Sequence, residues 1–151
     1  MRMATTILVA MLKADTRLKN PAISPSEPVI RRRVARRGQW CLLECGPAWD
    51  GNGTWDCFLA FAWDGAGGDR LLVTVNYAPH QSQCYLRLPF PELASRTVRL
   101  KDLMGPAEYD RDGDALLSAG LYLDLPAWGY HVFTLSQAEI TTEPKKKGNT
   151  K

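Results

Sequence analysis

The sequence predicts an all-β fold, an antiparallel Greek-key sandwich of about eight strands, preceded by a short N-terminal helix or irregular arm. Three observations carry that expectation. Apolar residues recur with period two in several short runs between 38 and 135. Those runs start at regular intervals, near residues 39, 57, 70, 83, 96, 114, 121 and 129. No stretch of twelve residues in this block has the period of an amphipathic helix.

The elements follow in order. Residues 5–19 form a candidate helix, with Ile7, Met11 and Leu18 able to share a face, and Asn20-Pro21 ends it. Ser24-Pro25-Ser26-Glu27-Pro28 reads as a linker, so residues 1–37 are expected to form a basic arm, 38–135 the sandwich and 136–151 a basic tail. Residues 40–45 are the first strand candidate. In 71–77, Leu71, Val73, Val75 and Tyr77 alternate with Leu72, Thr74 and Asn76, and in 83–88 Cys84, Leu86 and Leu88 alternate with Gln83, Tyr85 and Arg87. Val98 and Leu100 alternate with Thr97, Arg99 and Lys101, and Leu121, Leu123 and Leu125 with Tyr122 and Asp124. Each reads as a half-buried strand with one wet face. Residues 130–135 add another strand, and 114–118 a short one after a tight hairpin turn at Asp112-Gly113.

Residues 58–63 differ. Phe58, Leu59, Ala60, Phe61, Ala62 and Trp63 leave no polar face, so both sides of this strand must be covered. The sandwich interior covers one side. A partner, or another part of the chain, must cover the other, and Phe58, Phe61 and Trp63 are the candidate partner-facing residues.

With 151 residues the chain suits one domain and is too short for a complete (β/α)₈ barrel, which needs about 250 residues. The net charge of +3 is unevenly spread. Arg31, Arg32, Arg33, Arg36 and Arg37 form one basic cluster and Lys145, Lys146, Lys147 and Lys151 another, while the rest of the chain carries more acidic than basic groups. The arginine cluster could contact phosphates, but it lacks interleaved aromatics, and a solvated basic segment is the better account; nucleic acid is not an expected partner. Residues 3–12 are apolar but too few to span a bilayer and lack a small-residue cleavage site, so no membrane association and a cytoplasmic location are expected.

The chemistry-bearing residues are sparse. Cys41, Cys45, Cys57 and Cys84 have no zinc-ligand spacing and are expected as reduced thiols on strands, with a Cys57–Cys84 disulfide as the one alternative. Asp110, Asp112 and Asp114 fit the first positions of a calcium loop, but Ala115 and Leu121 stand where that loop needs Gly and Glu. Glu44, Asp50, Asp56, Asp64, Asp102 and Glu108 are scattered, and nothing selects a catalytic pair. No catalytic residue, metal site or cofactor is therefore expected. Trp49 and Trp55 flank a polar loop, and with Trp63 they are the candidate carbohydrate-binding residues, because indole faces stack on sugars. Large aromatics are mostly buried, so the expectation is that Trp49 and Trp55 pack inward and anchor their loop.

Four stretches in order then point to a family: Gly38-Gln39-Trp40-Cys41-Leu42-Leu43-Glu44-Cys45, Trp55-Asp56-Cys57-Phe58-Leu59-Ala60-Phe61-Ala62-Trp63, Arg70-Leu71-Leu72-Val73-Thr74-Val75-Asn76-Tyr77-Ala78-Pro79, and Gly120-Leu121-Tyr122-Leu123-Asp124-Leu125-Pro126-Ala127-Trp128-Gly129-Tyr130-His131-Val132-Phe133. Together, over residues 29–135, they resemble the C-terminal β-sandwich domain of α-amylase family glycoside hydrolases, in particular bacterial α-amylase-like enzymes. The resemblance implies an eight-stranded sandwich that packs against a catalytic (β/α)₈ barrel. In that family the nucleophile Asp, the acid/base Glu and a third Asp lie on the barrel, none of whose motifs occurs here. It therefore implies a non-catalytic accessory domain associated with α-glucan metabolism. Its partner would be a barrel chain, or a second copy through an apolar patch, with α-glucan as a possible ligand. The rivals are a free-standing carbohydrate-binding module and a basic-arm nucleic-acid binder.

Overall fold

The structure, a computed structural model, describes residues 33–138. The candidate helix at 5–19, the linker, Arg31, Arg32 and the lysine-rich tail lie outside the described residues.

The described residues form nine strands in two antiparallel sheets, an all-β sandwich. A short helix α1 (Arg33–Arg37) leads into β1 (Gln39–Leu42) and β2 (Cys45–Gly46). Then come β3 (Phe58–Asp64), β4 (Arg70–Asn76), β5 (Ser82–Leu86), β6 (Thr97–Asp102) and β7 (Glu108–Asp112). Helix α2 (Gly113–Ser118), β8 (Leu121–Leu125) and β9 (Tyr130–Gln137) complete the fold. One sheet has the order β1-β3-β4-β9-β6-β7 and the other β2-β5-β8. The chain crosses between sheets after β1, β2, β4, β5, β7 and β8, and β9 returns between β4 and β6.

The 40–45 run divides between the two sheets. β1 pairs with β3, Trp40 opposite Trp63 and Leu42 opposite Phe61, while Cys45 and Gly46 pair with β5. Leu43 sits in the interior between them, its N–H bonded to the Ala60 carbonyl at 2.9 Å.

The interior cluster holds Phe58, Ala60, Ala62, Leu72, Leu86, Leu100, Leu123 and Phe133 among others, from both sheets. A second cluster lies on the outer face of the six-stranded sheet: Phe61, Trp63, Leu71, Val73, Val75 and Val132, with Val34 of α1 in it. Val34 and Ala138 are buried and β9 runs to Gln137, so the folded unit takes in α1 from the expected arm and residues 136–138 from the expected tail as well as 38–135.

β4 departs from its expected wet-and-dry alternation. All seven of its residues are buried, and Leu72, Thr74 and Asn76 face the interior instead of solvent. The reason is position: β4 is an inner strand, and its residues on both the interior and the outer face are buried. Thr74 is fully buried and its Oγ1 has no hydrogen-bond partner among the described residues. An unsatisfied buried hydroxyl costs free energy that an isosteric methyl does not. Thr74→Val is therefore expected to leave stability unchanged or raise it by about 1 kcal/mol, read as the midpoint of urea unfolding. A clear loss of stability would show that the hydroxyl is satisfied in solution.

Residues 114–118 are helix, not strand, and Asp112-Gly113 is a helix start, not a hairpin turn. Asp112 Oδ1 accepts from Ala115 N at 2.8 Å, an N-cap that turns the chain helical, and Leu116 then points into the interior. β7, which the apolar pattern does not reveal, is a charged edge strand. Arg99 on β6 holds it through two bonds of 2.8 Å to the Asp110 carboxylate.

Candidate functional site

The polar interior of the sandwich centres on Asn76, at the end of β4. Its Nδ2 donates to the carbonyls of His80 (2.7 Å), Pro126 (2.8 Å) and Leu125 (3.2 Å). One buried amide thus ties the 77–81 loop to the turn between β8 and β9. Nearby, Asp102 Oδ1 accepts from Met104 N (3.0 Å) and Val132 N (3.1 Å), and its Oδ2 lies 2.7 Å from His131 Nδ1. The hydroxyl that β4 sets opposite His131 belongs to Thr74, which is closed to solvent. Asp102 and His131 therefore anchor the 103–104 segment and present no accessible nucleophile there.

The acidic run is engaged in structure. Asp110 pairs with Arg99, which holds its carboxyl below the usual range, Asp112 caps α2, and Asp114 Oδ1 accepts from Ser95 N at 3.0 Å. Among the described residues no group of three or more His, Cys, Asp or Glu is placed to hold a metal ion. Arg70, buried between Asp64 and Glu92, lies 4.4 Å over the Phe90 ring and fixes the β3–β4 corner to the 91–93 turn.

All four cysteines are free, so Cys57 and Cys84 are not bridged. Cys84 alone is fully buried; Cys41 and Cys45 are half-buried on strands, and Cys57 lies in the 3₁₀ turn Trp55–Cys57. Cys84 and Cys45 share a hydrogen bond that lowers the Cys45 thiol and, together with burial, pushes Cys84 up. Burial also raises Cys41.

The candidate partner-facing residues divide. Phe58 belongs to the interior cluster, because it lies an odd number of residues from Phe61 and a strand turns such residues to opposite faces. Phe61 and Trp63 do lie on the outer face, where their rings meet edge to face at 5.3 Å. Trp63 is only 4% exposed, which removes it from the carbohydrate-binding set. Trp49 and Trp55 do not pack inward; they are 53% and 37% exposed. The inward position of their loop is taken by Asn52, which is buried, accepts from Ala48 N at 3.4 Å and donates to Thr54 Oγ1 at 3.1 Å. Gln83 N in turn donates to Thr54 Oγ1 at 3.0 Å, fastening the loop to β5.

The outer apolar face continues to β1, the edge strand among the described residues. Trp40 and Leu42 lie opposite Trp63 and Phe61, on the same face, and Leu42 is 62% exposed. Two further aromatics stand in solvent at the end of the sandwich: Trp128, which the periodicity did not single out, and Tyr77, which the alternation grouped with Leu71, Val73 and Val75 but which lies just past the end of β4. The available signal was Trp128 within Pro126-Ala127-Trp128-Gly129, a large ring inside turn chemistry where no strand could bury it. Among the described residues no helix is long and apolar enough to cross a membrane. Comparison of the chain with known protein families and with curated proteins found no match in either.

Proposed function

We propose that the chain is a non-catalytic accessory β-sandwich that covers and stabilises the catalytic barrel of an α-amylase-like glycoside hydrolase acting on α-glucan. The observation that supports this most is the outer face of the six-stranded sheet. It is apolar from Val132 on β9 to Phe61 and Trp63 on β3, and it runs on to exposed Trp40 and Leu42 on β1. The residues of this face on β3, β4 and β9 are themselves buried, so the part offered to a further layer is its solvent-exposed margin, Trp40 and Leu42 on β1. The free thiols suit a reducing compartment, and we place the protein in the cytoplasm.

The test uses the full chain and the barrel portion of an α-amylase-like enzyme freed of its own C-terminal sandwich. The chain alone is expected not to hydrolyse starch or maltooligosaccharides. Added to the barrel, it is expected to raise the barrel's melting temperature, and Leu42→Asp to abolish that rise. Leu42 is mostly exposed, so this change should alter the chain's own stability by no more than about 0.5 kcal/mol. Hydrolysis by the chain alone, or no effect on the barrel, would overturn the reading.

A second reading, a free-standing carbohydrate-binding module, is favoured by the outward placement of Trp49 and Trp55.

A further inference from the structure

One end of the sandwich gathers exposed aromatic rings. The start of β3, the end of β4 and the start of β9 meet there. Tyr77 N donates to Cys57 O at 2.7 Å, Asn76 N to Gly129 O at 2.8 Å and Trp128 N to Ala78 O at 3.1 Å. The loops bearing Trp49, Trp55, Tyr77 and Trp128 therefore share this end. Tyr77 is 69% and Trp128 56% exposed, and their rings meet edge to face with centroids 5.6 Å apart.

Trp128 sits at φ 58, a left-handed conformation that bulky side chains avoid. Its ring gains little burial in return. Surrounding bonds hold it there: its own N–H to Ala78, Gly129 N to Pro126 O at 2.9 Å, and the Asn76 amide to Pro126 and Leu125. A rigid, strained turn that presents an indole to solvent is what a pre-organised recognition surface requires and what folding alone does not.

The surroundings define the ligand class. Residues 46–57, 76–83 and 122–131 contain no Lys or Arg, so these segments do not favour an anionic ligand. The polar groups include amides and the carboxylates of Asp50, Asp56 and Asp124; Gln81 Nε2 and Gln83 Nε2 both donate to Asp124 Oδ1, at 2.8 and 3.0 Å. Aromatic faces beside amide and carboxylate groups match a molecule with apolar ring faces and many hydroxyls.

We propose that Tyr77 and Trp128 form the primary stacking site for a neutral pyranose of an oligosaccharide, with Gln81 and Asp124 meeting its hydroxyls and Trp55 and Trp49 extending the surface. This rests on the carbohydrate-binding reading and names its central residues. The experiment is titration calorimetry of the full chain with maltoheptaose, cellohexaose and laminarihexaose. It compares the natural chain with Trp128→Gly, Tyr77→Ala and the double variant Trp49→Ala/Trp55→Ala. Glycine accepts the left-handed backbone, so Trp128→Gly keeps the fold, which circular dichroism and thermal melting verify. At least one saccharide is expected to bind, and Trp128→Gly or Tyr77→Ala to weaken it about tenfold or more. The Trp49/Trp55 double variant is expected to weaken it less. Binding that survives Trp128→Gly and Tyr77→Ala but is lost in the double variant overturns the proposal and leaves the carbohydrate-binding reading standing. No binding of any of the three overturns both. A dimer by light scattering that Trp128→Gly converts to monomer, with no saccharide bound, would assign the pair to self-association and also overturns it.

Discussion

Replacing Asn76 by Asp is expected to unfold a large share of the protein at temperatures where the natural chain is stable. The Asn76 side chain donates from one nitrogen to three carbonyl oxygens, and the bond to Leu125 is fully buried. Asp is nearly the same size but has only acceptors when ionised. Its carboxylate would face the three carbonyls it replaces a donor for, buried beneath two loops. Breaking a buried charged or polar arrangement in this way costs about 4 kcal/mol, a large part of a typical total of about 5–15 kcal/mol. Asn76→Ala loses the bonds without adding charge and should cost about 2–3 kcal/mol. Thermal melts by circular dichroism should therefore rank natural chain, Ala and Asp in falling order. A melting temperature for Asp equal to that of the natural chain would show that the two loops are held by other means.

Gly113→Ala should be comparably severe although it adds one methyl group. A Cβ at this position would overlap the carbonyl of Leu93 and lie 2.8 Å from that of Arg96. Both obstacles are backbone, so neither can turn aside as a side chain would. The approach is fixed by the Gly113 N–H bond to Arg96 O at 2.8 Å. Overpacking against rigid backbone costs about 3 kcal/mol, and α2 would lift away from the 91–93 turn. Gly53→Ala, where nothing lies within 4 Å of the added carbon, serves as the control and should be close to neutral. Equal unfolding midpoints for the two variants would refute the close-packing argument.

The same corner shows what the sequence made legible and what it did not. Strands with strict alternation, such as β5, β6 and β8, were readable because one face is dry and the other wet. The two-sided apolar run of β3 was readable too, and it signalled the second covered face. β7 was not, since Tyr109 is its only apolar residue and its place depends on Arg99, a partner on another strand. α2 was missed because six residues offer too little periodicity; the signal was local, an Asp cap followed by Ala-Leu-Leu. The exposure of Trp49 and Trp55 could not be read from residue type. Which side of a loop faces inward is set by its hydrogen bonds, and here Asn52 and Thr54 claim that side. Tyr77 and Trp128 become a pair only once β4 and β9 lie next to each other.

That adjacency has a bearing on how the protein is made. β9 is the last of the described strands and yet lies in the middle of the larger sheet, between β4 and β6. While the polypeptide emerges from the ribosome, β3 and β4 can form their hairpin, but the open side of β4 has no neighbour until residue 130 has left. Domains fold as units during synthesis, so this one must wait for nearly all of its length. A nascent chain halted before β9 would display the buried residues of β4 along an unpaired edge, a form open to aggregation and to capture by chaperones.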